Sequence, residues 1–140
     1  PILYKRPIKE ERIVTNVSAS YSGFSAIGVF QIYAKLDPNQ RDRFVEIVRE
    51  ELTRLHKEPV TNAELQRARA MTRSSLAFST ESSTNVAMYL GQTEIYGGVM
   101  DAINRGMLLE QISVEDIQRT AQRFLNPNAY IHSEITPVGR

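Results

Sequence analysis

The chain has 140 residues, 41% of them hydrophobic and 24% charged, a composition that buries one ordinary core and excludes both disorder and a fibre. Lys and Arg number 17 and Asp and Glu 16, a balance that gives neither the footprint of a nucleic-acid binder nor a polybasic membrane surface. Cysteine is absent, which excludes disulfides, thiolate zinc sites and a cysteine nucleophile but fits any compartment, so localisation stays open.

No apolar run approaches the ~20 residues that a membrane-spanning helix needs. No signal-peptide pattern is present either. The sequence starts at Pro1 rather than Met and reads as a piece of a longer polypeptide, with any catalytic motif upstream of it.

A charged entrance, Pro7 to Arg12, leads into a period-two pattern over Arg12 to Ser20, with Ile13, Thr15, Val17 and Ala19 on one face. A turn is expected at Tyr21–Phe24. Alternation resumes from Ile27 to Leu36, with Phe30, Ile32, Ala34 and Leu36 on one side, so the two segments read as an antiparallel hairpin. Gly28 marks a bulge or a close approach by another backbone. The period then changes: Asp37, Pro38 and Gln40 signal a helix start, the stripe Phe44, Val45, Val48, Leu52 and Leu55 carries the helix, and Pro59 stops it.

Thr61-Asn62-Ala63-Glu64 is a capping box for a second helix running to about Ser79, with Arg67, Arg69 and Arg73 mainly off its apolar stripe. A Ser/Thr break at Thr80–Thr84 precedes a third helix with Val86, Tyr89, Leu90 and Thr93, ended by Gly97-Gly98 in the left-handed cap conformation. Asp101 caps a short fourth helix with Ile103, Met107 and Leu108. Ser113 caps the last, with Val114, Ile117, Ala121, Phe124 and Leu125 on one stripe until Asn126-Pro127. Tyr130 to Ile135 alternates as a closing strand, ended by Pro137. This order predicts an α+β fold, an antiparallel sheet with helices packed on one face.

Chemistry-bearing residues are sparse. His56 with Glu58 lies near a helix end, where the two point in different directions and a cation is simply favourable, so a solvated helix end is the expected role. His132 and Glu134 share one face of the closing strand but lack a third ligand. Ser74, Ser75, Ser79, Ser82 and Ser83 have no nucleophile elbow and no nearby His, and read as caps and helix spacers. Gly97, Gly98 and Gly106 make no phosphate-cradling loop. Tyr21, Phe24, Phe30 and Tyr33 could stack single-stranded nucleic acid, but Lys35 alone makes no basic groove, and packing within the core and hairpin is the expectation.

Three stretches carry a resemblance. "GFSAIGVFQIYAKLDPNQRDRFVEIVREEL", "VTNAELQRARAMTRSSLAFSTESSTNVAMYLGQTEIYGG" and "ISVEDIQRTAQRFLNPNAYIHSEITP" resemble the latter part of a domain of the insulinase-like (pitrilysin, mitochondrial processing peptidase) zinc metallopeptidases. The likeness runs over nearly the whole chain, most specifically over Thr61–Gly98. It implies that residues 1–140 form a single domain, the C-terminal portion of a larger peptidase domain whose upstream strand and helix are missing. It also implies paired homologous domains closing as a clamshell around a peptide, with zinc held by an inverted His-x-x-Glu-His helix and a downstream Glu in the partner domain or subunit. No His-x-x-Glu-His occurs here, so no catalytic or metal-binding residue is assigned and zinc is expected only in the parent or partner.

In active relatives the second domain offers an Arg and a Tyr seven residues apart that hold the substrate backbone and polarise its carbonyl. In this sequence those positions fall at Ile8 and Thr15, which do not match; Arg6 and Arg12 lie nearby, but neither has a Tyr seven residues on. The charged entrance then reads as solvated surface. The resemblance implies a non-zinc domain of a zinc metalloendopeptidase, inactive alone, forming part of a peptide-enclosing chamber. The alternative is a catalytically inactive scaffold or assembly subunit of the same fold. The expected partners are a homologous zinc-bearing domain or subunit and a peptide substrate, with no nucleic acid and no membrane.

Overall fold

The computed structural model describes residues 5–24 and 26–136. A π-helical turn, Lys5–Glu10, leads into strands β1 (Val14–Gly23) and β2 (Gly28–Leu36). A 3-10 turn, Pro38–Gln40, precedes helices α1 (Arg41–Lys57), α2 (Asn62–Ser79), α3 (Ser83–Tyr96), α4 (Val99–Gln111) and α5 (Val114–Phe124). Antiparallel β1 and β2 form a two-stranded sheet, so the α+β class is as expected. Among the described residues, no helix is long and apolar enough to cross a membrane.

The chain gathers into two compact units, one of residues 1–20, 31–59 and 117–140, the other of residues 21–30 and 60–116. In the first, Ile47 and Pro7 are fully buried and Phe44, Val14 and Ala121 nearly so. Phe44 and Ile47 lie three apart on α1, and Val48, Leu52 and Leu55 continue that stripe half-buried, as the 3.6-residue period requires. The Asp37 carboxylate accepts from the Asn39 N–H at 3.0 Å, capping the 3-10 turn rather than α1 itself.

The second unit buries Val60, Leu65 and Thr93. Thr61 and Glu64 form the full capping box, with the Glu64 N–H donating to Thr61 Oγ1 at 3.2 Å and the Thr61 N–H to Glu64 Oε2 at 2.8 Å. Ser82 caps α3 by accepting from the Asn85 N–H at 3.1 Å. Ser113 and Asp116 make a second reciprocal box for α5, at 3.1 and 2.9 Å.

The α3–α4 corner departs from expectation. Gly97 has an extended backbone, and Gly98 alone carries a positive φ, 95°. The fourth helix starts at Val99, two residues before Asp101, whose side chain lies outside the described residues. Its first N–H is satisfied from the preceding helix, by Glu94 Oε2 at 3.1 Å, and Gly98 provides no side-chain cap.

The closing strand is a second correction. Residues 130–135 join no ladder, and Pro137 lies outside the described residues. Alternation encodes a strand only when a partner lies alongside. Here Tyr130 and Glu134 are held by side chains instead: Arg49 donates to the Tyr130 hydroxyl at 2.7 Å and Arg41 pairs with Glu134 at 3.2 Å. The odd positions, Ile131 and Ile135, are each 97% exposed.

In the hairpin, β1 outruns its expected end by three residues, from Ser20 to Gly23, and the Phe24 N–H donates to the Ile27 carbonyl at 2.8 Å across the reversal. Gly28 is closely approached by a side chain, not by a second backbone. The Tyr21 ring lies over it, so a Cβ on Gly28 would sit 2.7 Å from ring carbons.

Candidate functional site

The charged entrance folds into an ion-pair clasp. Pro7 is buried in the π-helical turn, the Ile13 N–H reaches back to the Pro7 carbonyl at 2.9 Å, and Arg12 adopts φ 53° at the exit. This reversal brings Glu11 against α1. Arg43 grips the Glu11 carboxylate with two bonds, Nε to Oε2 and Nη2 to Oε1, both 2.8 Å. Arg6 donates to Glu11 from the other side at 3.0 Å and also bonds Glu50, while Arg43 reaches Glu46 at 2.6 Å.

The bonds from Arg43, helped by Arg6 and opposed by partial desolvation, hold the Glu11 carboxyl below its usual range. In return Glu11 and then Glu46 raise the Arg43 guanidinium, and Glu50 followed by Glu11 raises that of Arg6. The expectation of solvated surface holds for Lys9, Glu10 and Arg12, which are exposed, and is corrected for Glu11 and its cations Arg6 and Arg43, which are half-buried and mutually satisfied. Glu11 and Arg43 lie 32 residues apart in the chain, a separation no local pattern reveals.

Ile8 sits half-buried within the Lys5–Glu10 turn. Thr15 lies on β1, its hydroxyl donating to the Lys35 carbonyl at 2.9 Å. Thus the side chains at the two positions singled out from the sequence are an apolar group that cannot donate and a hydroxyl already donating to main chain. The guanidinium of Arg6 is engaged in the clasp.

The histidines do not meet. His56 is half-buried rather than solvated: its Nε2–H lies 3.0 Å from the Ala121 carbonyl and 2.9 Å from that of Leu125, so it donates to both. Gln118 and Gln122 return bonds to the His56 carbonyl at 3.1 and 2.7 Å. The ends of α1 and α5 are therefore tied to each other, the His56 ring adding a second donor to the Ala121 carbonyl, which also accepts the Leu125 N–H at 2.9 Å. His132 is exposed, and Glu134 beside it pairs with Arg41. Among the described residues, no group of three or more His, Asp or Glu could hold a metal ion.

Ser82 is a cap and Ser79 donates to the Leu76 carbonyl at 2.8 Å, whereas Ser74 and Ser75 line a shallow exposed concavity on α2 with Met71 and Phe78. Arg69, expected off the apolar stripe, is half-buried and donates to the Glu110 and Ile112 carbonyls at 2.8 and 2.7 Å, closing the end of α4. Gly106 lies within α4 with open space around it. The hairpin aromatics correct the expectation of core packing: Tyr21, Phe24, Phe30 and Tyr33 are all exposed. Among the described residues the sheet has only the two strands β1 and β2.

A family model described as the peptidase M16 inactive domain matches residues 2–72, just over half of the chain. A curated relative, the probable mitochondrial-processing peptidase subunit alpha-1 of Arabidopsis thaliana, is 28% identical over 116 residues, 82% of this chain and 23% of that protein. The fold matches a protease from Helicobacter pylori with a TM-score of 0.78 at 20% identity, over 89% of this chain and 30% of that one. A peptidase M16 inactive domain from Pseudomonas fluorescens gives 0.78 at 18% identity, over 91% and 30%. The periplasmic protease PqqL from Escherichia coli gives 0.68 at 20%, over 89% and 14%. The chain thus spans less than a third of each of these proteins, and the structural likenesses speak for the fold. On the match through its hairpin, its first helix and the start of the second, the chain belongs to the peptidase M16 inactive-domain family, as its resemblance to the insulinase-like metallopeptidases implies.

Proposed function

We propose that this chain is part of the non-zinc domain of an insulinase-like zinc metalloendopeptidase, forming one wall of a chamber that encloses a peptide. The observation that carries the proposal is the inactive-domain match over residues 2–72, which takes in the whole hairpin. Two histidines and no His-x-x-Glu-His do not fit a zinc site, so the metal chemistry belongs to a homologous zinc-bearing domain or subunit. This chain's own contribution is enclosure and backbone pairing: among the described residues neither outer edge of the hairpin is paired, and an extended peptide can add there as a strand.

The second reading, a catalytically inactive scaffold or assembly subunit, is favoured by Ile8 and Thr15. A half-buried aliphatic side chain and a hydroxyl bonded to Lys35 provide no donor for a scissile carbonyl.

The test is hydrolysis of an unstructured fluorogenic peptide by the 140-residue chain alone, by the full-length polypeptide, and by that polypeptide mixed with any zinc-bearing homologue from the same source. Chelator-sensitive cleavage in the second or third sample, with none in the first, is expected. Cleavage by the isolated chain with stoichiometric zinc would overturn both readings, and cleavage in no sample would leave the scaffold.

A further inference from the structure

We draw no further inference here: the strongest candidate, the uncharged apolar end of the β1–β2 hairpin around Tyr21, Ile27 and Phe30, is an unpartnered face of a chain that spans less than a third of each of the proteins it matches, and nothing in the structure shows what covers it.

Discussion

Arg43 and Glu11 meet through two hydrogen bonds of 2.8 Å across 32 residues of chain, tying the entrance of the hairpin to the first helix. Because Arg43 bonding holds the Glu11 carboxyl below its ordinary value of 4.5, the clasp stabilises the fold above that pH and is lost as pH falls through the lowered value. Wild type is therefore expected to be more stable than Glu11→Gln in urea titrations at pH 7. The gap should close as the pH is taken below the usual carboxylate range. A gap that persists unchanged into strong acid would assign the effect to packing.

Replacing His56 with Ala removes the donor that serves both the Ala121 and Leu125 carbonyls. The expected loss is about 1–2 kcal/mol, the range for one partner of a partly buried hydrogen-bonded pair. Thermal unfolding of the two proteins measures it.

Tyr21 and Gly28 should couple in a double-mutant cycle. Gly28→Val places side-chain atoms where the Tyr21 ring now lies and is expected to destabilise by about 1 kcal/mol. In a Tyr21→Ser background the same change should be neutral or stabilise by a few tenths, since Val favours strands. Urea titrations of the four proteins give the coupling, and an additive result would show that the ring is not held over the glycine.

Thr61→Ala and Ser113→Ala each dismantle one capping box and are expected to cost about 1 kcal/mol apiece. Their sites share no partner, so the double variant should lose the sum. Denaturant midpoints decide the matter.

On the reading that neither Ile8 nor Thr15 polarises a substrate carbonyl, Thr15→Val should leave kcat/KM of the full-length polypeptide within about twofold of wild type. Loss of an oxyanion donor would instead cost on the order of a hundredfold. Steady-state hydrolysis of an unstructured peptide separates these outcomes.

What was legible in the sequence is what short-range chemistry dictates. The Thr61 and Ser113 boxes lie within four residues, the α1 stripe repeats at the helical period, and the two strands alternate, so these elements stand where their patterns put them. The fold class follows from their order. Long-range pairings were not legible: the 32-residue span between Glu11 and Arg43 and the 65-residue span between His56 and Ala121 exist only after folding. Tyr130–Ile135 shows the converse limit, since its alternation is real but a strand needs a neighbour, and side-chain ties to Arg49 and Arg41 hold the segment instead. At the site, the residue types at positions 8 and 15 could be read directly, whereas the engagement of the Thr15 hydroxyl by Lys35 could not.

The corner at Gly98 has its own implication. Glu94 on α3 supplies the acceptor for the first N–H of α4, and Gly98 supplies the one backbone angle that lets the chain reverse there. Stop signal, hinge angle and start signal are thus written into neighbouring residues of one segment. A splice at the corner would part α4 from its acceptor and α3 from the glycine that turns the chain.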